Sequence, residues 1–273
     1  MRPALLIAGA LVMLISSCRS VPKELPDAEV YSVPRPEGTL LLVSADLAFL
    51  HGDLEPLFAK LLGEQLMRNL SRADQLSLAL LEERRMAVLI EGRYPKTLSA
   101  IALDLDRGWK RSAGSETRWR SGESELTIVR SGTVVLGLPD PDPFVNALTE
   151  KGSFMVEREE DFLLSIPAVE KLARGIPVAG ECRVAGSFGD QGFLGSLLWN
   201  FDSERAARSS LPLLKFFLYQ VLNGNDPEFR RDALKTVVDR ETVKIDGFRV
   251  SPEGIGNLIQ QFAGSTGLQL TSE

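Results

Sequence analysis

Hydrophobic positions in this chain come in short runs whose period switches between two and roughly 3.6, the signatures of strand and helix. The first run, Ala4 to Ile15, is unbroken, and Ser16, Ser17 and Cys18 follow it. Residues 19 to 37 carry Pro22, Pro26, Pro34 and Pro36 among polar neighbours, which predicts a stiff extended spacer. Val30 and Val33 carry strand character, but Pro34 and Pro36 argue against a strand there. Order is expected to begin at Gly38, with Thr39 to Ala45 as a buried strand. A helix then places Leu54, Leu57, Phe58, Leu61, Leu62 and Leu66 on one stripe, with Lys60, Glu64 and Arg68 opposite.

The middle of the chain reads as alternating strands and short helices. Strands are expected at 76–81 and 85–91, and Pro95 opens a helix reaching Leu105. The charged stretch from Asp106 to Arg120, with Trp109 and Trp119, reads as strands or an exposed loop. A hairpin turns at Ser131-Gly132 between 125–129 and 133–137, and a proline-rich turn leads into a helix from Phe144. In the second half, strands are expected at 161–166, 178–188 and 193–201. Residues 203–210 read as helical, and the apolar run 211–222 is interrupted only by Lys215 and Gln220. Asp226 is placed to cap another helix through Phe229, Ala233, Leu234 and Val237. Asp246-Gly247 is expected to turn a last hairpin, ahead of a helix carrying Ile255, Leu258, Ile259 and Phe262.

Hairpin, proline-bearing turn and short helix thus recur three times in element order, without residue identity. The predicted fold class is α+β: two layered lobes of mainly antiparallel sheet with helices packed on one face, at 38–157 and 158–273.

Charge and cysteine content narrow the function. The net charge is −6, and no basic cluster stands out, which argues against nucleic acid and against electrostatic adhesion to an anionic membrane. With 44% apolar residues the chain can build a proper core. Only Cys18 and Cys182 are present, and Cys182, in Glu181-Cys182-Arg183-Val184, reads as a small core hydrophobe.

The N-terminus suggests an address. Arg2 followed by the apolar run has the order of a secretory signal, and the run is shorter than the ~20 residues of a spanning helix. Ile15-Ser16-Ser17-Cys18 resembles the lipobox of bacterial lipoproteins, with Ser in place of the commoner Gly or Ala before the cysteine; looser boxes of this kind are similar to those of spirochaetal lipoproteins. The resemblance covers residues 1–18. It implies that 1–17 are cleaved, that Cys18 is lipidated and becomes the first mature residue, and that 18–37 serve as lipidated end and tether. Several acyl chains at ~0.8 kcal/mol per buried methylene make such anchorage effectively permanent. Cleavage removes Arg2 and no acid, so the mature chain is one unit more negative. If Cys18 is acylated, Cys182 has no disulfide partner. Arg19 is not the Asp that retains some lipoproteins at the inner membrane. By resemblance, this favours the periplasmic face of the outer membrane of a bacterial envelope.

Catalytic chemistry finds no motif. His51, the sole histidine, sits in a polar loop near Asp53, a poor basis for zinc binding or a Ser-His-Asp triad. Gly186-Ser187-Phe188-Gly189 resembles the end of a nucleophile elbow, but Ala185 replaces its first glycine and no helix follows directly. Asp104, Asp106, Asp140 and Asp142 lack calcium-loop register, and Gly254-Ile255-Gly256 lacks a third glycine. No catalytic residue, metal or cofactor is expected.

The run 211–222 has two readings: a central helix covered by sheet, or a segment touching lipid through Leu213, Leu214, Phe216, Phe217 and Leu218, aided by Leu57 and Phe58. Amphipathic-helix lipoproteins of spirochaetal outer membranes are similar in size and layout. The expected function is therefore a non-enzymatic, lipid-anchored envelope protein with a structural or lipid-contact role. The alternative is a tethered binding module for an envelope protein or peptide, using strand edges or the Trp109–Trp119 region.

Overall fold

A computed structural model describes residues 31–47, 72–150, 154–158, 160–172, 179–189, 191–226, 229 and 234–258. Fourteen strands are seen among them: β1 (Tyr31–Arg35), β2 (Thr39–Asp46), β3 (Ala73–Leu81), β4 (Met86–Gly92), β5 (Lys110–Arg111), β6 (Arg118–Ser121), β7 (Ser124–Arg130), β8 (Thr133–Leu138), β9 (Phe154–Arg158), β10 (Phe162–Ile166), β11 (Glu181–Gly189), β12 (Gly192–Asn200), β13 (Lys235–Asp239) and β14 (Thr242–Val250). The helices with both ends described are α1 (Lys96–Leu105), α2 (Asp142–Thr149), α3 (Val169–Leu172) and α4 (Glu204–Asn225); residues 252–258 are also helical.

The expected pair of layered α+β lobes is corrected by the strand order. The described chain is mostly antiparallel strand, in the orders β2-β3-β4-β8-β7-β6-β5 and β10-β11-β12-β14-β13, with β1 and β9 in a separate ribbon. Helices are few and do not form a layer over each half. The physical reason is that apolar–polar alternation states which face of a strand is buried, and is silent on which strand lies beside it.

The chain divides into two compact units. The first holds β1–β9 with α1 and α2. Apart from β1 and β9 its strands run as β2-β3-β4-β8-β7-β6-β5, every pair antiparallel. The β7–β8 hairpin turns at Ser131-Gly132, and Gly132 sits at a φ of 82° that favours glycine. Leu89, Ile90, Leu126, Ile128, Val134 and Leu136 are buried on the two faces of its centre. Phe144 of α2 and Leu103 of α1 are fully buried, so each short helix is fastened by one large side chain. Strand β1 lies inside the stretch read as spacer. Pro34 is accommodated because, among the described residues, β1 pairs only with β9, and a two-stranded ribbon leaves each strand one side without a ladder. The buried Arg158 donates to Ser44 Oγ at 3.1 Å, and Ser77 and Gln75 converge on the same hydroxyl.

The second unit holds β10–β14 with α3 and α4, again wholly antiparallel in the order β10-β11-β12-β14-β13. The rings of Phe162, Phe188, Phe193 and Phe248 interlock at centroid distances from 5.1 to 6.1 Å. Gly195 makes room for them, since a Cβ there would lie 2.5 Å from the Phe193 ring.

Two local expectations change in this unit. Residues 235–239 are strand, not the end of a helix capped by Asp226. Asp226 instead closes α4, and its carboxylate accepts from the Ser251 backbone N–H at 2.6 Å and the Ser251 hydroxyl at 2.8 Å. Asp246-Gly247 is not a hairpin turn either. It lies within the continuous strand β14, where the register with β12 slips by one residue and Gly247 takes a φ of 73°. The hairpin turns at Arg240-Glu241, between β13 and β14.

Cys182 is buried in β11, and burial, with a smaller contribution from the charge of Glu181, pushes its thiol up to about 12. The folded thiol therefore keeps its proton when the unfolded one loses it. Stability from this group is full below the unfolded pKa and falls as pH rises from there toward about 12. In the chain from Ser20, iodoacetamide at pH 8 is expected to leave Cys182 unmodified in buffer and to alkylate it fully in denaturant, as read by intact mass.

Candidate functional site

Helix α4 runs for 22 residues. Ser203 caps it, its hydroxyl accepting from the Ala206 N–H at 3.2 Å, and Glu204 in the first turn pairs with Arg208 one turn on. Ala207, Leu214, Leu218 and Leu222 recur at helical spacing and are buried; the helix packs on β14 and β13. Leu213, Phe216 and Phe217 lie off that stripe, exposed by 41%, 59% and 54%. The reading of 211–222 as a helix covered on several sides is therefore replaced by a one-sided packing. Of the residues singled out for lipid contact, Leu214 and Leu218 belong to the core while Leu213, Phe216 and Phe217 face outward. Exposed aromatic rings side by side on a helix are the kind of apolar patch that marks a contact surface. Leu57, Phe58, Cys18 and His51 lie outside the described residues.

The first unit has an outward apolar face of its own. Leu98, Ile101 and Leu105 of α1 are exposed by 42%, 49% and 79%, while Ser99 and Leu103 are buried. The sequence predicts a short helix opened by Pro95 and reaching Leu105, with no outward face assigned to it. Its short length hid the fact that one buried leucine is enough to seat it.

A polar cleft of about 1000 Å³ opens beside β5, β6 and the start of α2. Its arginines are spent on carboxylates: Arg111 on Asp104, Arg118 on Asp142, and Arg120 on Glu125 at 2.8 Å. Trp119, fully buried below, donates its indole N–H to Asp104 at 2.8 Å, and this bond, with Arg111, holds the Asp104 carboxyl below the usual carboxylate range. Arg111 also lies 5.4 Å from the Trp119 ring centroid. The three arginines are neutralised there, and the Ser112 hydroxyl donates to Glu125 Oε1 at 3.3 Å. Trp109 and Trp119 are buried, so the partner surface proposed for that region has no aromatic faces to offer. Among the described residues no cluster of His, Cys, Asp and Glu is arranged to hold a metal ion. Gly186 to Gly189 lie in β11 of the β11–β12 hairpin, with no helix directly after them.

No known family and no curated protein matches the sequence. Solved structures do. Crystal form III of the spirochaetal protein TP0453 matches over 83% of this chain and 96% of its own, with a TM-score of 0.54 and 12% identity. It shares its fold with TP0453. Crystal forms I and IV agree, with TM-scores of 0.53 and 0.54, identities of 14% and 13%, and 95% and 97% of the TP0453 chain covered. At such identity the likeness to TP0453 concerns the path of the backbone. The outward residues of α4 and the pairs in the cleft are described from this chain alone.

Proposed function

We propose that this protein is a lipid-anchored component of a bacterial cell envelope, held through acylated Cys18 at the periplasmic face of the outer membrane. Its role is non-enzymatic: it contacts membrane lipid through the outward face of α4. The observation that carries this reading is the exposure of Phe216 and Phe217, beside Leu213, on a long helix whose opposite stripe is buried in the core. Inserting such rings a few ångströms into the interfacial region would remove from water apolar area worth about 25 cal/mol per Å². Among the described residues no helix is long and apolar enough to cross a membrane, which suits a helix lying along the surface. Net negative charge means that attraction must be apolar, so binding to neutral vesicles should be insensitive to salt.

Liposome flotation of the chain from Ser20, which lacks the anchor, tests this. The folded protein is expected to float with neutral phosphatidylcholine vesicles in low and high salt alike. Phe216→Ser with Phe217→Ser should abolish flotation with little change in stability, because both rings are more than half exposed. A folded protein that stays at the bottom of the gradient overturns lipid contact.

A further inference from the structure

Strands β5 and β13, each last in the strand order of its own unit, differ in what they offer. Of the two, β5 has two residues, Lys110 and Arg111, both exposed and of like charge. That is a blunted edge, too short to pair with another strand. Strand β13 has five residues, and among the described residues it pairs only with β14. Its Lys235, Val237 and Asp239 alternate outward with half-buried Thr236 and Val238, and Val237 is 56% exposed. Among the described residues neither Lys235 nor Asp239 has an ion-pair partner, whereas neighbouring Lys244 is engaged with Asp246 at 3.2 Å.

We propose that β13 is a self-association edge, on which a second copy of this chain lays its own β13 antiparallel about a two-fold axis at Val237. That register is self-complementary, as an isologous interface requires. Lys235 falls opposite Asp239 of the second copy, twice, and Val237 meets its own counterpart between the two charge pairs. Directly opposed side chains share a face with Cβ atoms ~4.5–5.5 Å apart, so the opposite charges meet on the exposed face. A parallel in-register pairing would instead set lysine beside lysine and aspartate beside aspartate. The pattern therefore selects the orientation as well as the partner. The unpaired N–H and C=O groups of β13 gain partners by the same addition. The proposal uses none of the residues assigned to lipid contact and stands or falls separately from it.

The test uses the full-length chain in its own membranes. Val237→Cys, oxidised with copper phenanthroline, is expected to give a covalent dimer on non-reducing gels, since opposed Cβ atoms at that spacing admit a disulfide with slight adjustment. The unsubstituted chain and Arg208→Cys, an exposed position on α4, should give none. Asp239→Lys in the Val237→Cys background sets lysine opposite lysine at both ends and should lower the yield at least tenfold. Adding Lys235→Asp reverses both pairs and should restore it; Lys244 stands next to the introduced acid and limits its repulsion from Asp246. Absence of the Val237→Cys dimer, equal cross-linking at Arg208→Cys, indifference to Asp239→Lys, or failure of the double charge reversal to restore the dimer would each overturn the proposal.

Discussion

Trp119→Ala is expected to destabilise the chain by about 3–5 kcal/mol, the range for emptying a buried aromatic site. Trp119 is among the largest fully buried side chains and lies in β6, near the end of the sheet, where only β5 and β7 flank it. The cavity left by alanine cannot be filled from that side, because β5 has only two residues, both exposed. The substitution also withdraws the donor that, with Arg111, holds the Asp104 carboxyl low. Urea unfolding followed by circular dichroism should show the midpoint fall sharply, while Trp119→Phe, which keeps most of the ring and loses the N–H, should retain the larger part of the stability. Equal loss in the two variants would mean that the bond to Asp104, rather than ring burial, carries the effect.

Gly137→Ala is expected to cost at least about 3 kcal/mol, above the usual range for overpacking by one methyl group. A Cβ at this position would lie 1.8 Å from the Asp140 carbonyl oxygen, so backbone rather than a flexible side chain must move. That backbone is the turn that carries β8 into α2, and α2 is seated by the fully buried Phe144. Strain introduced at Gly137 is therefore passed to the helix anchor. Gly189→Ala supplies the control: nothing lies within 4 Å of a Cβ there, and the same denaturation experiment should show a change within about 0.5 kcal/mol. A tolerated Gly137→Ala would show that the 138–141 turn can shift without disturbing α2.

These two positions separate structural from functional apolar residues in a way that composition does not. Trp119 looked like a surface partner site because it stands in a run of charge, Arg118-Trp119-Arg120. In β6 that run alternates: Trp119 points into the core and Arg118 and Arg120 point to the cleft. Conversely, Phe216 and Phe217 stood inside so dense an apolar run that burial was the simpler reading. The decisive signal was present as spacing, since Ala207, Leu214, Leu218 and Leu222 form a stripe from which both phenylalanines are rotated away. Density of apolar residues obscured it.

Much of the local structure was legible. The hairpin about Ser131-Gly132, the paired strands on either side of residues 189–192, and the helix opened by Pro95 follow from period, turn residues and proline placement, all of which act within a few residues of chain. The strands β1 and β13 were not legible. Pro34 in β1 is acceptable only because its ribbon has a single ladder, and β13 is a strand because β14 lies beside it. Gly247 likewise could serve a turn or a bulge, and the choice was made by the register with β12.

By itself the sequence determined the β7–β8 and β11–β12 hairpins and the helix α1, the net negative charge and the resemblance of residues 1–18 to a lipidation signal, because these depend on neighbours along the chain. The helix read on Leu54 to Leu66 lies outside the described residues. The tertiary structure alone decided which strand lies beside which within each unit, and which residues of α4 meet the core. Those outcomes depend on contacts between residues far apart in sequence, and alternation along a strand carries no label for the strand that will lie beside it.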